Sequence, residues 1–101
     1  MAKFNMVVPH ALPQGEALRR VQGEIERLKV QFGDNVGDLR DSWRNDTYLF
    51  EGVTMGVSVS GVILVKPSQI EIAANLPWLA MPFKGRIETV IGERLRTLLC
   101  W

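Results

Sequence analysis

Polar and apolar residues alternate at the start of the chain, with Phe4, Met6 and Val8 set between Lys3, Asn5 and Val7. A period of two is that of a strand with one face turned inward. Pro9, which cannot donate in a ladder, ends it. The period then changes. Leu18, Val21, Ile25, Leu28 and Phe32 recur at alternating steps of three and four. At about 100° per residue they share an arc of roughly 80°, while Glu16, Arg19, Glu26 and Arg27 fall outside it. This predicts a helix with Pro13 in its first turn, where a missing N–H goes unnoticed, and with Gly33 as its C′ residue.

From residue 36 to 76 the alternation returns. Asn45–Asp46 offers a tight turn between DLRDSWR and TYLFEGV, and a two-residue turn sets Trp43 across from Tyr48, an aromatic pair that pins the register. Gly52 and Gly56 mark the next bend. Val57, Val59, Ile63 and Val65 form a further strand, with Gly61 as a candidate bulge. After the turn Lys66–Pro67–Ser68–Gln69, a last strand carries Ile70, Ile72, Ala74 and Leu76. The 57–65 strand has a second face, Ser58, Ser60, Val62 and Leu64, that is half apolar as well. Either the sheet curls around the helices, or another copy of the chain or a ligand covers its outer face.

An apolar segment bracketed by Pro77 and Pro82 precedes a second amphipathic helix, with Ile87, Val90, Ile91, Leu95 and Leu98 on one side. The order is β-α-β-β-β-β-α. Short turns between the middle strands favour an antiparallel meander, with both helices packed on one face of a sheet of about five strands. The fold class expected is α+β in one domain, residues 1–101.

Composition narrows the function classes. At 101 residues with 47% hydrophobic and 23% charged residues, the chain supports one modest core. A net charge of +1 makes nucleic acid a poor partner. One cysteine, Cys100, forms no internal disulfide, which suits a reducing compartment. The N-terminal apolar run is too short for a secretory signal, and nothing approaches the ~18 apolar residues of a membrane span. A cytoplasmic location and no transmembrane segment are expected.

Signs of chemistry are sparse. His10 is the only histidine and Cys100 the only cysteine, so ordinary ligand counting gives no zinc site. No glycine-rich phosphate loop opens a helix, and Ser58 and Ser60 alternate on a strand rather than forming a nucleophile elbow. No enzyme activity, metal or cofactor is expected. Two charges stand where apolar residues belong. Arg94 falls at about 340° from Ile87, within the apolar arc of the last helix, and Asp41 points with Leu39 and Trp43 by strand alternation. An inward Asp41–Arg94 ion pair is one reading; the other has Arg94 lay its stem on apolar neighbours with its head in water. Trp78, Leu79, Met81 and Phe83 are the candidate interaction surface, against the alternative that they pack as a satellite cluster under the sheet.

The segment LPWLAMPFKGRIETVIGERLRTLL, together with Pro9–His10 and with Tyr48, Phe50 and Gly52 of the central hairpin, resembles the polyhydroxyalkanoic acid system family. The run Pro82, Phe83, Lys84, Gly85, Ile87, Glu88 is its most specific part. The resemblance implies a small bacterial protein associated with storage-polyester metabolism, with a granule or a protein of that system as partner and no catalytic motif to carry over. By element order alone the chain is also similar to a reduced helix-grip fold, as in START-like lipid-binding domains. Two functions follow as expectations: a non-enzymatic accessory that binds a granule surface or protein partner, or a small carrier of an apolar or acyl ligand in a pocket between the sheet and the C-terminal helix. A homodimer is a third use for an apolar face.

Overall fold

In the computed structural model, Trp43 faces Tyr48 across a two-residue turn at Asn45–Asp46, their ring centroids 5.1 Å apart. Asn45 takes a φ of 57°, the left-handed conformation that such hairpins require and that asparagine tolerates. The structure describes residues 2–35, 37–54, 56–76 and 82–100.

The elements run β1 (Ala2–Pro9), α1 (Gln14–Phe32), β2 (Gly37–Arg44), β3 (Thr47–Thr54), β4 (Val57–Val65), β5 (Gln69–Leu76) and α2 (Lys84–Leu98). All sheet neighbours are antiparallel, in the order β1-β5-β4-β3-β2. The meander β2 to β5 closes on β1, so β1 and β2 occupy opposite edges. They are about 19 Å apart at ordinary strand spacing. α1, 19 residues and so about 28 Å long, makes that crossing over one face.

The register assigns each side chain to a face. Phe4, Met6, Val8, Ile70, Ile72, Ile63, Val65, Tyr48 and Phe50 lie on the helix side. Phe4, Val8, Val65 and Ile70 are fully buried there. α1 meets them with Val21 and Ile25 of the expected stripe and with Ala17, while Leu18 packs partly buried against the cluster that Leu12 and Leu99 complete. Each such side chain contributes about 1.5–3 kcal/mol. α2 lies against β1, so both helices occupy the same face. Its close approach is at Gly92, which is buried: a Cβ there would stand 2.9 Å from Met6 Cε.

Three local expectations change. Gly33 ends α1 with an ordinary helical φ of −58°, because the chain tightens into a 3₁₀ turn, Gly33–Asn35, rather than reversing through a left-handed residue. The bend after β3 uses Gly56, at φ 76°, while Gly52 is a buried strand residue. Gly61 is not a bulge, since β4 pairs with β3 and β5 without interruption. The irregularity is on edge strand β2, between Gly37 and Arg40, where Asp38 has a φ of 51°. A bulge there twists an exposed edge away from further pairing.

Candidate functional site

His10 is used by the fold. Its Nδ1 accepts from the Leu12 N–H at 3.2 Å, which leaves the proton on Nε2 to donate to the Lys66 carbonyl at 2.9 Å. The imidazole thus ties the β1–α1 link to the β4–β5 turn. Gln14 does the same from the start of α1, donating to Asp46 and to the Val65 carbonyl. Among the described residues no group of three His, Cys, Asp or Glu could hold a metal ion.

The pair predicted between Asp41 and Arg94 is not formed. Asp41 is on edge strand β2, and Arg94 is on α2, which packs over the opposite edge strand. Arg94 bonds instead through Nε to Glu24 of α1 at 2.9 Å. Glu24 is the one polar residue buried among those described, and Arg27 also approaches it, at 3.5 Å. Asp41 Oδ2 accepts from Lys29 Nζ at 2.8 Å and from the Tyr48 hydroxyl at 2.7 Å. Sequence reasoning misses Lys29 and Glu24 as partners, although the helix wheel carries a signal for both. Lys29 falls about 20° from Leu18, and Glu24 about 40° beyond Leu28, so both border the apolar arc.

Lys29, Asp41 and Tyr48 are shifted in one sense. The Lys29 ammonium, and then the Tyr48 hydroxyl, hold the Asp41 carboxyl below its ordinary range. Asp41 in turn raises Lys29. Burial, reinforced by the Asp41 carboxylate, pushes the Tyr48 hydroxyl well above its usual value. At neutral pH the cluster is therefore an ammonium, a carboxylate and a neutral phenol. It is a set of fixed donors and acceptors, not groups tuned to exchange protons.

Beside this cluster lies an open pocket of about 280 Å³ between α1 and the sheet. Ile25 and Leu28 wall it from the helix, Leu39, Phe50 and Ile63 from the strands, and Lys29 and Tyr48 from the cluster side. Its helical wall is α1, and no described residue of α2 lines it. A second concavity, an open groove of about 580 Å³, crosses the outer face, with Leu49, Val62 and Ala73 on its floor and Lys3, Arg40 and Glu51 among its polar residues. It makes use of the half-apolar second face of β4.

Of the candidate interaction residues, Trp78, Leu79 and Met81 lie outside the described residues. Phe83 is the residue before α2 and is 58% exposed. Seven residues on, Val90 is 54% exposed. Phe83 at the entry to α2 and Val90 within it make a short exposed apolar ridge, with Ile87 half-buried between them. Lys84 opens the helix beside it, and Arg86 is exposed.

The architecture is that of a small α+β domain with an apolar pocket under one helix and an apolar ridge on the other. The chain belongs to the family described as "Putative polyhydroxyalkanoic acid system protein (PHA_gran_rgn)", which matches residues 5–99. No curated protein sequence matches it. Among solved structures, the crystal structure of TTHA0849 from Thermus thermophilus is similar at 13% identity and a TM-score of 0.40, covering 97% of this chain and 92% of that chain. A likeness that distant supports no argument here. No helix of the described residues is long and apolar enough to cross a membrane.

Proposed function

We infer that the protein is a non-enzymatic accessory of the polyhydroxyalkanoate system that works in the cytoplasm by binding the granule surface. Family membership supplies the system. The observation that carries the binding mode is the exposed ridge of Phe83 and Val90, continuous in sequence with the apolar segment Leu76–Pro82. Exposed apolar side chains at the head of a helix, with Lys84 and Arg86 alongside, suit an apolar phase with an acidic rim. The non-enzymatic part of the reading draws on His10, whose ring is bonded into the fold at both nitrogens.

The test is co-sedimentation of the folded protein with native granules and with polyester beads stripped of protein. The expected result is binding to both. Binding to native granules alone moves the partner from the polymer to a granule protein. Binding to neither removes the reading.

A further inference from the structure

We propose that the pocket under α1 is a binding site for a medium-length hydroxyacyl chain whose carboxyl is esterified, held by its tail among Ile25, Leu28, Leu39, Phe50 and Ile63 and by its ester carbonyl at Lys29. The walls favour the tail, because apart from Lys29 and Tyr48 every side chain that lines the space is aliphatic or aromatic. At about 280 Å³ the space is at the small end of ligand pockets, about 300–1,000 Å³, which suits a medium-length chain.

The head is decided by charge. Asp41 and Lys29 already neutralise each other at 2.8 Å, and Glu26 stands 3.6 Å from the same ammonium. A free carboxylate arriving here must displace Asp41 and then sit beside two carboxylates. A neutral head needs no displacement. An ester or thioester carbonyl accepts from one of the three N–H donors of Lys29, which lines the space. The site selects an acyl ester over a free fatty acid for this reason.

The hydroxyalkanoic class rests on family membership, and the place rests on the pocket. Neither rests on the docking of α2, which contributes no described residue to the lining. Granule co-sedimentation and ligand binding can therefore fail separately.

The experiment is an NMR titration of the full chain with methyl 3-hydroxyoctanoate and, in parallel, with octanoate. Saturable shifts are expected in the methyl signals of Ile25, Leu28, Leu39 and Ile63, with octanoate binding at least about tenfold more weakly. Leu28→Phe and Leu39→Trp, which fill the space from the helix and from the strand, should each abolish the shifts while keeping a dispersed native spectrum. Asp41→Asn, which removes the repelling charge, should narrow the preference for the ester. No saturable shift with the wild type overturns the proposal. So do shifts confined to Leu49 and Val62 on the outer face, or undiminished binding by whichever filled variant remains folded. Octanoate binding as tightly as the ester overturns the assignment of the head.

Discussion

A single missing Cβ shapes the interior. Gly61 stands opposite Phe50 across β3 and β4, and the ring lies over it: a Cβ built on Gly61 would be 2.5 Å from Phe50 Cζ and 3.0 Å from the Ala73 carbonyl. Phe50 also stacks on Tyr48, at 5.8 Å between centroids, and lines the pocket. Gly61 thus provides the space in which that ring rests. The sequence marks Gly61 as unusual within a strand, but a bulge and an aromatic laid over a glycine read alike there, since both need a position without a side chain. Gly61→Ala should push the Phe50 ring toward the pocket and cost about 1–3 kcal/mol in chemical denaturation, the usual range for overpacking. A variant as stable as the wild type would show that the ring moves freely.

At the level of elements, local pattern is enough for the strands and helices but not for their order in the sheet. The β2–β3 hairpin is readable because Asn45–Asp46 is turn chemistry and because two aromatics flank it at matching distance. The inward direction of Asp41 and Arg94 is also readable, from periods of two and 3.6. Their partners are not. Nothing within either segment reveals that β1 closes on β5 and sends β2 to the far edge, and this places Asp41 within reach of α1 and Arg94 over β1. The Arg94–Glu24 contact is the ion pair that joins α2 to α1 among the described residues, with Glu24 largely out of solvent and Arg94 half-exposed. A double-mutant cycle with Glu24→Gln and Arg94→Gln should give a coupling of about 1 kcal/mol. A coupling near zero would mean that α2 is held by packing and by the Arg20 hydrogen bonds to the Leu98 and Cys100 carbonyls instead.

The whole molecule presents two different surfaces to a partner. The outer face of the sheet carries a broad groove whose apolar floor is interrupted by charged and amide side chains. The flank of α2 exposes Phe83 and Val90 and follows the apolar segment Leu76–Pro82 in sequence. In the proposed function the second surface is the one that meets the granule. The direct measurement compares two folded variants for co-sedimentation with native granules: Phe83→Ser/Val90→Ser on the ridge and Leu49→Ser/Val62→Ser on the outer face. The ridge variant should lose granule binding and the outer-face variant should keep it; the reverse pattern, or equal retention by both, would contradict the account.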